Sequence, residues 1–209
     1  MARSADDPYL TPDELRLVAD GDLFRAKERI ILKVRDLLTE LQLGLHVDLG
    51  RSALLLPPDF DPTKMQFVKG ERLENCPYQY LDYPKHFLGE DKFTFRSLCW
   101  WGHHLVFALI VEGGPVKRYK KNFVDRFHQL AGQGLELSLA PTLWEWKRAE
   151  GYTLPITHER KAQLAAVLSG RAWFKIARFV PLDSPALCEG RLPEMGRETF
   201  RSLLPLLTP

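Results

Sequence analysis

Cysteine is scarce in this sequence and follows no pattern. Cys76, Cys99 and Cys188 are the three present, and no two form a C-x-x-C pair. That argues against a disulfide framework and against a structural zinc site, and it points to reduced thiols in a cytoplasmic protein. Long apolar runs are missing too. No stretch approaches the ~20 apolar residues of a membrane span. The first residues, MARSADDPYL, lack an apolar core of signal-peptide length and carry Asp6-Asp7, so secretion is not expected. Charge of one sign is also lacking: the net charge is +2, too little to indicate a nucleic-acid binder. There is no G-x-G-x-x-G, Walker A loop, G-x-S-x-G elbow, H-E-x-x-H or H-x-x-x-H, and no internal repeat. No cofactor and no metal is therefore expected.

What is present is an ordinary globular balance, 27% charged and 45% hydrophobic over 209 residues. A chain of that length can bury ~70% of its unfolded surface. The pattern predicts residues 1–10 as a flexible N-terminus and 11–209 as a single α+β domain.

The strongest signal is FTFRSLCWWGHHLVFALIVE, residues 93–112. Residues 93–101 are aromatic and apolar, and Leu105–Val111 is an unbroken apolar run of strand length. Gly102 between them suits a tight turn. A two-residue turn at Gly102-His103 predicts a hairpin over about 93–111 with Trp101 opposite His104, Phe95 opposite Ile110 and Arg96 opposite Leu109. Arg96 then stands among apolar side chains. A guanidinium there needs a partner, either an internal carboxylate or an anionic ligand.

Around this hairpin the other elements follow in order. Thr11-Pro12-Asp13-Glu14 has the form of a capping box opening a short helix that Gly21 ends. Asp22 is expected to cap a longer helix to about Leu43, with Leu23, Ile30, Val34, Leu37, Leu38 and Leu41 at helical spacing. Leu45–Leu49 alternates as a strand would. Three prolines between Pro57 and Pro62 mark a surface connection. Tyr78–Tyr83 reads as a strand ended by Pro84. Lys117, Arg118, Lys120 and Lys121 lead to a helix capped at Asn122. Strands are expected at 135–139, 143–147 and 171–180, with helices from about 157 to 168 and 193 to 204. Strands in adjacent runs predict an α+β fold: a mainly antiparallel sheet built on the hairpin, two N-terminal helices, and helices packed against the sheet.

Four groupings could carry chemistry. Asp82, Lys85, His86 and Arg96 supply an acid, a base and cations for a hydrolytic or phosphoryl-processing enzyme. Lys117, Arg118, Lys120 and Lys121 before a helix start oppose the helix dipole, and a bound anion would relieve that. His103 and His104 are adjacent, so on a strand they face opposite sides and make a poor metal pair. Glu145-Trp146-Lys147 with Asp82 has the acid-and-lysine content of metal-dependent nucleases, although strand alternation accounts for it fully. The reading adopted from sequence is a non-catalytic domain that binds a protein partner, a second copy of itself or an anionic small molecule. The enzyme is the alternative.

Overall fold

The two N-terminal helices begin as their caps dictate. The computed structural model describes residues 8–209, so residues 1–7 of the expected flexible terminus lie outside the described residues. Helix α1 (Pro12–Ala19) has the full capping box, with Thr11 Oγ1 accepting from the Glu14 amide and the Glu14 carboxylate accepting from the Thr11 amide. Helix α2 (Gly21–Gly50) is capped by Asp20 rather than Asp22, the carboxylate accepting from the Leu23 amide at 2.9 Å. Its buried stripe is Ile31, Val34, Leu38, Leu41, Leu45 and Asp48. That three- and four-residue spacing runs through the segment expected as a strand at Leu45–Leu49. Five alternating residues are too few to outweigh a helical stripe already about three turns long.

The sheet follows: β1 (Gln66–Leu73), β2 (Cys76–Leu88), β3 (Asp91–Trp100) and β4 (His104–Glu112). Then come α3 (Val116–Asp125), α4 (Phe127–Leu130), β5 (Glu136–Ser138), β6 (Thr153–Pro155), α5 (Lys161–Ser169), β7 (Trp173–Pro181), α6 (Pro185–Cys188), α7 (Leu192–Ser202) and α8 (Leu204–Leu207). The seven strands form one antiparallel sheet in the order β1-β2-β3-β4-β7-β5-β6. The architecture is α+β with two N-terminal helices, as the sequence predicts.

The central hairpin is present, but its register is one residue from the expected one. Trp100 pairs with His104, so the loop is Trp101-Gly102-His103, with Gly102 at φ +73°. Phe95 therefore faces Leu109, and Arg96 faces Ala108. Two- and three-residue hairpin loops both use a left-handed glycine, and the extra loop residue moves every cross-strand pair by one.

The sheet has two unlike faces. On one, Leu81, Tyr83, Phe93, Phe95, Leu105, Phe107, Leu109 and Val111 form the main core with α2, α3, α7 and α8. Asp48 ties α2 to α7 there, accepting from Arg197 at 2.9 and 3.0 Å and from Arg201 at 3.2 Å. On the other face Leu98, Trp100, Val106, Ala108, Ile110 and Ala177 are covered by Leu143 and Trp146. These two come from residues 139–150, where a strand was expected over 143–147 and none forms. The segment is a strap held by side-chain donors instead of a ladder. Arg171 donates to the carbonyls of Ser138 and Leu139, Lys175 to those of Leu143 and Glu145, and His104 Nε2 to that of Trp146. The carbonyls of Leu143, Glu145 and Trp146 thus find side-chain donors in place of a neighbouring strand.

Candidate functional site

Strand β2 does not stop at Pro84. Its pairing with β3 shifts between Asp82 and Lys85, so Asp82 pairs with Arg96 while Lys85 pairs with Thr94. Simple alternation would put residues 82, 84 and 86 on one face. The inserted residue puts Asp82, Lys85 and Phe87 there and turns His86 to the other. Three of the four expected catalytic residues therefore share a face, and the fourth is removed. His86 packs against Phe60 with ring centroids 6.4 Å apart, in an adjoining hollow that Asp59, Asp61 and Lys64 line together with Lys85 and Phe87.

Arg96 sits at the floor of an aromatic cleft of about 300 Å³ on the strap side of the sheet. Its Nε and Nη2 donate to the two oxygens of Asp82, both at 2.7 Å. The carboxylate is fully buried and the guanidinium side chain is 7% exposed. The guanidinium carbon lies 3.8 Å from the centroid of the Tyr80 ring and 4.8 Å from that of Trp144. Tyr78 and Tyr80 stack nearly parallel, 6.2 Å apart at 8°. Gly70 on β1 makes this wall possible, because a Cβ there would overlap the Tyr78 ring. Gln66, Leu98, Phe87 and Trp146 complete the cleft. The Gln66 amide oxygen accepts from Lys85 Nζ at 2.7 Å, leaving the amide NH₂ as its other polar group.

Beneath Trp146 lies a second buried cation. Lys175 is 1% exposed, and its ammonium stands 4.1 Å from the Trp146 ring centroid. Burial pushes its pKa down to about 7, with Arg96 adding to the fall and Glu145 opposing it. Burial likewise raises the Tyr80 hydroxyl, which the Arg96 charge partly offsets. Burial lowers His104, although its bond to the Trp146 carbonyl favours the charged form.

The four basic residues after Gly113-Gly114-Pro115 lie within α3, not in a loop before a helix capped at Asn122. They share the side of α3 away from its buried Val116, Tyr119 and Phe123, but their partners differ. Lys120 donates to the main-chain carbonyls of Ser169 and Arg171, and Lys121 pairs with Asp125 at 2.5 Å. Lys117 and Arg118 border a hollow that also holds Asp91, whose carboxylate accepts from the Gly114 amide at 2.8 Å. An internal acid thus takes the amide that an anion would have used. His103 stacks on Trp100 at 3.6 Å. Lys147 pairs with Glu74 at 3.1 Å, and Glu145 stands on the strap rather than a strand. Among the described residues no three His, Cys, Asp or Glu side chains gather as a metal site would require.

The aromatic walls and Lys175 did not come out of the sequence reading as site residues. Lys175 carried a usable signal: it stands between Phe174 and Ile176 in a strand-like run. No protein family, curated protein or solved structure matches the chain, so the functional reading rests on this geometry.

Proposed function

We propose that the chain is a non-catalytic binding domain, and that the cleft over Arg96 takes a small ligand with a planar apolar body and one carboxylate. The observation that carries this is the Arg96 guanidinium stacked on Tyr80 at the floor of a cleft walled by Tyr78, Trp144 and Phe87. Aromatic walls favour a flat ligand. Because Asp82 already offsets the charge of Arg96, a monoanion suits the floor better than a phosphate dianion. The cleft lies at the small end of ligand pockets, which run from about 300 to 1,000 Å³. The alternative, an enzyme using Asp82, Lys85, His86 and Arg96, is weakened by geometry. Asp82 is committed to Arg96 and His86 faces away, so the set offers no base beside a reacting atom. Three free thiols fit a reducing, cytoplasmic location.

Indole-3-carboxylate is a suitable probe. About 12 non-hydrogen atoms at ~0.4 kcal/mol each give ~5 kcal/mol, a Kd of about 0.2 mM. Titration by calorimetry is expected to show saturable binding that indole and inorganic phosphate do not reproduce. Trp144→Ala, at a residue 41% exposed, keeps the fold and weakens binding at least about tenfold. Absence of binding at millimolar probe, or binding indifferent to Trp144→Ala, overturns the reading.

A further inference from the structure

Helix α1 raises a question of stability. None of its eight residues is buried, and isolated helices shorter than ~12 residues are marginal in water. Its capping box contributes only about 1 kcal/mol. The first ten residues of α2 likewise hold no fully buried side chain, since the buried stripe starts at Ile31. Leu15, Val18, Leu23 and Phe24 are 53%, 67%, 44% and 54% exposed. Leu10 and Leu17 are 41% and 48% exposed as well, so the apolar side chains of α1 are without cover in the chain.

The same chain carries a receptor for such a helix. A groove of about 620 Å³ runs beside α2, lined by Ile30, Val34 and Leu37, by Trp101 of the hairpin loop, and by Leu182 and Leu187. Lys33, Asp36 and Glu40 edge it, and none of these three makes an ion pair among the described residues. At 1.5 Å per residue, α1 is about 12 Å long, and Ile30 to Leu37 spans about 11 Å. Laid parallel to α2, α1 sets Asp13 and Glu14 by Lys33 and Arg16 by Asp36 and Glu40. The existing Arg16–Asp13 pair, 3.7 Å apart with side chains 73% and 87% exposed, is weak enough to be exchanged.

A chain's own α1 cannot reach this groove. Only Asp20 separates α1 from α2, so an eight-residue helix folded back would cover residues 21–29 and stop short of Ile30. We therefore infer that two copies associate by exchange, α1 of each seating in the groove of the other. The exchange is independent of the cleft over Arg96.

Exposed Cys188 lines the groove and gives a direct test. Oxidation of Val18→Cys is expected to yield a disulfide-linked dimer that disappears when Cys188→Ser is added. Sedimentation velocity is expected to show a dimer at ~100 µM, with association weakened at least about a hundredfold by Leu15→Glu with Val18→Glu. These two residues are exposed, so circular dichroism should be unchanged apart from α1. Lys33→Asp is expected to weaken association, and Asp13→Lys to restore it. A monomer at ~100 µM overturns the inference. So does a dimer that Leu15→Glu with Val18→Glu leaves intact, which would place the contact elsewhere.

Discussion

Replacing Asp82 by Asn removes the charge that compensates Arg96 while keeping the side chain's size. Two bonds of 2.7 Å between opposite charges become at best one bond to a neutral acceptor, and the guanidinium, 7% exposed, stays where it is. Breaking one side of a buried ion pair costs ~3–5 kcal/mol, chiefly because the remaining charge is left without compensation. For a chain of this size each kcal/mol moves Tm by ~2–4 °C, so Asp82→Asn is expected to melt roughly 6–20 °C lower. Urea unfolding followed by tryptophan fluorescence gives the free energy directly. Removing both charges by Asp82→Leu with Arg96→Met is expected to land within about 2 kcal/mol of the wild type. The burial penalty goes with the pair, and the loss that remains is the stack of Arg96 on Tyr80, worth ~0.5–2 kcal/mol. The reasoning fails if Asp82→Asn costs less than about 1 kcal/mol, or if the double variant is as unstable as the summed single changes.

Two further outcomes test the same face. Burial lowers Lys175 from 10.5 to about 7, so between pH 7 and 10 the unfolded chain binds more protons at this site than the folded one. Stability of the wild type relative to Lys175→Met should therefore climb with pH across that window and stay level below it; a difference independent of pH would contradict this. Gly70→Ala forces the Tyr78 ring off β1. It is expected to cost ~1–3 kcal/mol in urea unfolding, with a matching loss of indole-3-carboxylate affinity.

Much of the architecture was legible because single residues forced it. The capping box at Thr11 placed the first helix, and Gly102 between two apolar runs placed the hairpin. Arg96 among apolar neighbours announced a partner. What was not legible depended on residues far away in the chain. The register turned on one loop residue. Pro84 reads locally as a strand end, yet β2 continues through a shifted pairing to Leu88. The four cations from Lys117 to Lys121 argue against a helix start, but Asp91 on β3 brings its carboxylate to the Gly114 amide ahead of α3 and offsets them. Leu143–Lys147 alternates as a strand does, and only Lys175 and His104 reveal why its carbonyls do not enter the ladder.

The strap has one more consequence. Arg171, Lys175 and His104 grip it by main-chain oxygens, atoms that every residue type supplies. The outward-facing position at Trp144 can therefore change in size or polarity while the clamp holds. The wall of the cleft is adjustable in a way its floor, built from a matched Asp82–Arg96 pair, is not.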